Sequence, residues 1–208
     1  MPTLVERFSD ALRDNAGRFD LQLTDSKIAS LIGYYLLLLK WNAALHLVAP
    51  CTPEEFATRH ILESLLLTHH LPANACIADV GSGAGLPLIP CLLVRRDLHV
   101  TLIESSKKKA VFLRQALRSA NAEKFASVIA ERFENIAAPA VEFITCRALD
   151  RFQQILPALI AWAPPDCTLL LFAGAALRKH IESKFPGAET KQIPGSNRRF
   201  LIKFRLRP

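Results

Sequence analysis

Residues 77–90 read IADVGSGAGLPLIP, and no other stretch restricts the fold as strongly. A short apolar run ends in Asp79. Glycines follow at three alternate positions, Gly81, Gly83 and Gly85, and an apolar, helix-compatible segment opens at Leu86–Pro87. This is a strand, a tight glycine turn and a helix start. Glycines at such a turn permit positive φ and let a ligand approach the backbone. The helix start behind them offers unpaired N–H groups and partial positive charge. Proline is tolerated at an early helical position, where no N–H donor is needed.

The spacing narrows the ligand. A dinucleotide fingerprint reads G-x-G-x-x-G, with the pyrophosphate on the helix N-terminus. Here the glycines run G-x-G-x-G, and Leu86 takes the place of the last fingerprint glycine. Asp79, just before the turn, would crowd a pyrophosphate. A ligand with a cationic or hydrogen-bonding amino-acid end suits the site better. The alternative is a glycine-rich turn that holds nothing.

From Ala75 onward strand-like and helix-like segments alternate, which argues for a parallel sheet with crossover helices. Strands are expected at Cys76–Val80, Val100–Glu104, Ala126–Ala130, Phe143–Cys146 and Thr168–Phe172. Helices are expected at Leu88–Arg95, Ser106–Ala120, Asp150–Trp162 and Ala175–Phe185. Lys191–Ile193 and Phe200–Leu206 flank the turn signal Pro194-Gly195-Ser196-Asn197 and predict a terminal antiparallel hairpin. Upstream, residues 3–16, 24–42 and about 52–70 show helical periodicity or helix-start signals. The second of these should bury Ile28, Leu31, Ile32, Tyr35, Leu38 and Leu39. The chain thus divides into a helical extension, 1–72, and an α/β domain, 73–208.

Half of the 208 residues are apolar, enough for a sizeable core, and the net charge of +7 favours an acidic partner such as nucleic acid. The five cysteines are scattered and lack C-x-x-C spacing, which argues against a disulfide framework or zinc site and fits a reducing cytosol. Cys76, Cys146 and Cys167 lie in or beside strand-like runs and are expected in the core. The six histidines show no metal spacing, and no metal is expected. The first fifteen residues carry charges throughout, unlike a signal peptide. The apolar stretch Ile28–Leu39 is shorter than the ~20 residues of a membrane span. A cytoplasmic protein, without a membrane and acting as a monomer, is the expectation.

Glu104 ends the second strand, about twenty residues past the glycine turn, where an acid can accept hydrogen bonds from ribose hydroxyls. It could instead cap the helix that follows. Lys107 and Lys108 open that helix, and Arg114 and Arg118 share one of its faces, so it could hold RNA phosphates or be a solvated face. Phe133 and Glu134 follow the third strand as an apolar wall and a polar contact, or as an ordinary loop with one buried aromatic. The fourth strand ends in Thr145-Cys146-Arg147-Ala148, without the Asp/Asn-Pro-Pro-aromatic motif of many amino-group methyltransferases. Arg147 therefore offers a cation for a carboxylate, a phosphate or the Hoogsteen edge of guanine, or pairs within the fold.

An acidic residue, G-x-G-x-G, and a second acid ending the next strand resemble the class I S-adenosylmethionine (SAM) methyltransferases. That resemblance implies a Rossmann-like, seven-stranded, mostly parallel sheet with a terminal antiparallel hairpin. More specifically, Trp41-Asn42 with Leu45-His46-Leu47, Arg59-His60-Ile61-Leu62-Glu63-Ser64, DVGSGAGLPLIP, Arg132–Glu134 and Cys146-Arg147-Ala148 resemble the RsmG (GidB) family of bacterial 16S rRNA guanine-N7 methyltransferases. The resemblance covers about residues 25–205. It implies SAM as cofactor and 16S rRNA, or the small subunit or its assembly intermediate, as partner. Asp79, Gly81, Gly83, Gly85, Leu86, Glu104, Phe133, Glu134 and Arg147 would form the SAM site, with Arg147 also the positioning cation of catalysis. Asn42, Arg59, His60, Ser64, Lys107, Lys108 and Arg199 would serve RNA or the site's architecture.

The chain departs from the family pattern at some positions. His46-Leu47-Val48 stands where the family usually has Asn-Leu-Thr, glutamate where it usually has aspartate at 63 and 104, and Ala173-Gly174 where it tends to have Lys-Gly. Two other functions stay open on the sequence. One is a methyltransferase of a small molecule or protein, with the extension as a lid. The other is a non-catalytic RNA-binding or ribosome-assembly protein that keeps the fold.

Overall fold

The computed structural model describes residues 1–147 and 152–206. Ala148 and Asp150, which belong to two of the sequence expectations, lie outside them.

Helix α1 (Leu4–Ala16) opens with a capping box, in which Thr3 and Glu6 satisfy each other's backbone N–H. Helix α2 (Asp25–Leu45) starts at Thr24 and ends at His46, whose φ of 47° turns the chain out of the helix. It buries Ile28, Leu31, Tyr34, Tyr35 and Leu38. Leu39, expected inside, is 38% exposed, and Tyr34 takes a core position instead. By length and composition α2 could cross a membrane, but its buried side packs into the core cluster described below.

The third helical stretch is one run of four segments with three kinds of turn, not a uniform α-helix. Pro53–Glu55 (α3) leads into a π-helical segment, Phe56–Leu62, then Glu63–Leu65 (α4) and a 3-10 segment, Leu66–His70. The Glu63 N–H donates to the Thr58 carbonyl, the wide i→i+5 bond of a π-turn. Such turns concentrate at functional sites.

The sheet runs β3-β2-β1-β4-β5-β7-β6. Strands β1 (Cys76–Val80), β2 (His99–Ile103), β3 (Ala126–Ile129), β4 (Phe143–Cys146) and β5 (Thr168–Gly174) are parallel, whereas β7 (Arg199–Arg205) runs antiparallel to β5 and to β6 (Glu189–Gln192). Helices α5 (Leu88–Val94), α6 (Lys107–Ser119), α7 (Phe152–Trp162) and α8 (Ala175–Lys184) connect them. Strand order reverses between β1 and β4, so the crevice opens beyond their carboxyl ends.

Side chains of β1 alternate between two cores. Ile77 joins one with α1, α2, α5 and α6, while Ala78 and Val80 join the other with α7 and α8. The extension therefore shares a core with the sheet. Cys91, Cys146 and Cys167 are buried, whereas Cys76, expected in the core, is half-buried at the start of β1.

Candidate active site

The glycine turn follows β1. Gly81, Gly83 and Gly85 have φ of 77°, 53° and 81°, in the region that favours glycine. The Gly81 and Ser82 N–H groups donate to the Ile103 carbonyl at 2.9 and 3.1 Å, which moors the turn to the end of β2. A Cβ on Gly85 would come within 2.3 Å of Ile89 Cδ1 and 3.1 Å of Leu113 Cδ2. Glycine is thus needed there for close packing as well as for conformation. Leu86, 8% exposed, joins Pro87 through a cis bond, and Pro87 caps α5. From the extension, the Tyr34 hydroxyl donates to the Ala84 carbonyl at 2.7 Å.

Asp79 sits beneath this turn, 0% exposed, and neither carboxylate oxygen has a hydrogen-bond partner. Ser82 lies close but gives its hydroxyl to the Asp79 backbone carbonyl at 3.0 Å. Burial raises the Asp79 carboxyl to about 8, and nearby Glu104 adds to the rise. A buried, unpaired carboxylate is costly, so without a partner the group favours its neutral form, and a cation placed beside it would favour the carboxylate.

Glu104, just past β2, is also buried. Its oxygens accept from the Gly83 N–H at 2.8 Å and the Ser106 N–H at 2.7 Å. It ties the glycine turn to the start of α6, and a carboxylate has about four acceptor positions, so room for hydroxyl donors remains. Next to it a cavity of about 160 Å³ is lined by Gly81, Ile103, Ser105, Phe133, Glu134 and Ile155, among others. Phe133 is backed edge-on by Trp162, ring centroids 5.4 Å apart, and the Trp162 indole donates to the Ile136 carbonyl at 2.8 Å. Glu134 pairs with Arg132 at 2.9 Å. A larger cavity, about 700 Å³, lies at the amino-terminal edge of β5, away from the turn.

Arg147 leaves the end of β4 and meets the extension. Its guanidinium donates to Ser64 Oγ at 3.0 Å, the Arg59 carbonyl at 2.5 Å and Glu63 Oε2 at 3.3 Å, and lies 5.1 Å from the Phe172 ring centroid. Glu63, 2% exposed, also takes Arg199 Nη2 on Oε1 at 2.6 Å. Burial raises the Glu63 carboxyl, against the pull of Arg147 and Arg199. His60, beside them and 5.1 Å from the Phe56 ring, is pulled down to about 4, by burial first and then by Arg147 and Arg59.

The structure thus gathers Asp79, the glycines, Leu86, Glu104, Phe133, Glu134 and Arg147 along the carboxyl edge of the sheet. The residues expected to serve RNA divide. Lys107 and Lys108 are exposed on the first turn of α6, and Arg59 is half exposed and ion-paired with Glu55. Ser64 falls on the side of the site's architecture: it is 0% exposed, and its hydroxyl bridges the His60 carbonyl and Arg147. Asn42 likewise commits its amide to the Val48 backbone, donating at 3.1 Å and accepting at 2.9 Å. Sequence reasoning missed Glu63 and Tyr34 as site residues. Glu63 stood inside the RHILES stretch, but nothing local marks the acid on which two distant arginines converge.

The sequence profile described as rRNA small subunit methyltransferase G (GidB) matches residues 27–198. The chain belongs to this family. A relative from Xanthomonas axonopodis pv. citri named ribosomal RNA small subunit methyltransferase G is 37% identical over 173 residues, spanning 80% of this chain and 81% of the relative. One of the same name from Sodalis glossinidius is 40% identical over 121 residues, 58% of each chain. Among solved structures, a SAM-dependent methyltransferase from Aquifex aeolicus superposes with a TM-score of 0.56 at 16% identity, covering 73% of this chain and 93% of that one. An RNA methyltransferase from Salinibacter ruber in complex with S-adenosyl-L-homocysteine gives 0.53 at 13% identity, covering 69% and 88%. The fold is that of the class I SAM methyltransferases.

Proposed function

We propose that this member of the GidB family transfers a methyl group from SAM to N7 of one guanine in 16S rRNA of the small ribosomal subunit. The observation that carries the reading is the orphan Asp79 carboxylate under the positive-φ glycine turn, in a chain of this family. The residues present fit SAM. Asp79 offers an acceptor to the amino group of its methionine end. Glu104 has lone pairs left for ribose hydroxyls. Ile103 and Phe133 give the apolar walls, and Ser105 and Glu134 the polar rim, of a cavity suited to the adenine.

When bound, SAM supplies a methyl group on a positively charged sulfur. The chain's part is to place the acceptor. Guanine N7 carries a free lone pair, so no side chain has to remove a proton, and the Thr145-Cys146-Arg147 end of β4 holds none placed to do so. Alignment and a fixed electrostatic environment are what remain for the protein to provide. Arg147, with its guanidinium plane fixed by the extension, is the cation of that environment. The target base has to leave its stack or be unpaired to reach the crevice. Exposed Lys107 and Lys108 flank the crevice as phosphate contacts, with Arg59 and Arg199 on the opposite side, and the net charge of +7 adds affinity that depends on salt. The protein acts in the cytoplasm as a monomer, on free rRNA or on the small subunit and its assembly intermediates.

A strain of the source organism lacking this gene tests the reading. Its 16S rRNA should lose the cleavage that borohydride and aniline produce at 7-methylguanosine, and a plasmid copy should restore it. An unchanged cleavage pattern would sink the assignment. Calorimetry with SAM separates an enzyme from a non-catalytic protein of the same fold, which would show neither heat nor thermal stabilisation.

A further inference from the structure

The acid that joins the extension to the crevice has a geometry beyond what attachment requires. Glu63 is the first residue after the π-helical segment. It is 2% exposed, and its two oxygens take different arginines from different strands. Arg199 at the start of β7 approaches Oε1 at 2.6 Å, and Arg147 after β4 approaches Oε2 at 3.3 Å. Arg147 has further anchors in Ser64, the Arg59 carbonyl and the Phe172 ring. One carboxylate thus holds two guanidiniums, so the trio carries one uncompensated positive charge at the carboxyl edge of the sheet. Arg59, closest in sequence, is already paired with Glu55.

Buried ion pairs are weak devices for stability, since apolar residues of similar volume often do as well. They do fix orientation. A bridging carboxylate holds two mutually repelling cations in place, where neither could settle alone so close to the other. The π-turn sets the direction from which Glu63 reaches them.

We propose that Glu63 is a positioning residue for methyl transfer, holding Arg147 and Arg199 as a fixed cationic pair whose excess charge receives a backbone phosphate of the substrate RNA. This rests on the methyltransferase reading above. A phosphate seated on the pair fixes the sugar–phosphate chain beside the target base and so orients N7. Glu63 itself touches neither RNA nor cofactor.

The test uses the full chain, with small subunits from the deletion strain as substrate and radiolabelled SAM as donor. Glu63→Gln keeps the shape and removes the charge. It should lower kcat tenfold or more. RNA affinity should be unchanged or tighter, because a negative charge has been lost, and SAM affinity should stay within twofold. Glu63→Asp restores the charge and should recover a substantial part of kcat. A purely structural role predicts instead a lower melting temperature with wild-type kcat per folded molecule, and that result would overturn the proposal. A tenfold loss of SAM affinity in Glu63→Gln would overturn it too, by moving the anion from RNA to cofactor. If Glu63→Gln does not fold, Arg199→Gln opens the pair from its exposed side. It should lower kcat while SAM affinity holds, and wild-type kcat there would count against the proposal. If the wild-type protein itself does not methylate the subunit, the functional reading fails and not this inference.

Discussion

At the scale of single residues the site is built from groups whose local cost is high. Asp79 is the clearest case. Its carboxyl has an ordinary value of 3.8 and is raised by burial to about 8 in the fold. Between those values the folded chain binds more protons than the unfolded one, so stability falls as pH rises through the window. Asp79→Asn should remove this slope. Without SAM the variant should melt higher than wild type at pH 8.5 and nearer to it at pH 5, while SAM should no longer stabilise it. An identical pH slope in variant and wild type, measured by thermal denaturation, would show that another group is responsible. Gly85→Ala acts through packing. The new methyl meets Ile89 and Leu113 at a φ of 81°, so we expect a loss of about 1–3 kcal/mol in denaturant unfolding. Both residues were legible as a turn and its preceding acid, because glycine spacing and a strand-end carboxylate are local signals. That Asp79 has no partner was not legible, since it depends on which neighbours the fold withholds.

At the scale of elements, the strands and crossover helices followed from alternation and turn chemistry, and they differ from expectation only at their ends. The third helical stretch did not follow. Its sequence, with Pro53 and two acids at the start, signals an α-helix, and no residue from Phe56 to Leu62 marks the wider winding. The far end of the π-turn is where the extension meets distant arginines, with Arg147 donating to the Arg59 carbonyl and Arg199 pairing with Glu63. Helix α2 was read from periodicity, but the face was misjudged by one position, with Tyr34 inside and Leu39 outside. That error hid the only α2 side chain bonded to the glycine turn among the described residues. Tyr34→Phe removes the 2.7 Å bond to Ala84 and leaves a buried carbonyl unpaired. We expect about 1–3 kcal/mol less stability and a weaker hold on SAM. Unchanged SAM affinity by calorimetry would limit the tether to folding.

At the scale of the whole molecule, the division at residue 72 describes the chain's pattern better than its cohesion. Phe8, Tyr35 and Phe56 of the extension belong to the same buried cluster as Ile77, Leu102 and Leu201 of the sheet. Amphipathic helices announced themselves in the sequence, but not the surface they would cover, because that requires knowing which sheet face the crossover helices leave open. The charge is the other global property. With a net +7, association with 16S rRNA should weaken steeply between 50 and 200 mM salt, on the order of 10³-fold if six phosphates are engaged. Replacing Lys107 and Lys108 together should lower the slope of log K against log salt by about two. An unchanged slope would place the RNA on another face.

The two tryptophans give the molecule its own optics. Trp162 leans edge-on against Phe133, the wall of the small cavity, and Trp41 of the extension's α2 packs 5.9 Å from Phe112 of α6. The first indole therefore reports on the cavity and the second on the seam between extension and sheet. In Trp41→Phe the emission comes from Trp162 alone. Filling the cavity should then shift that spectrum in proportion to occupancy, so cofactor loading can be followed without label, radioactivity or turnover.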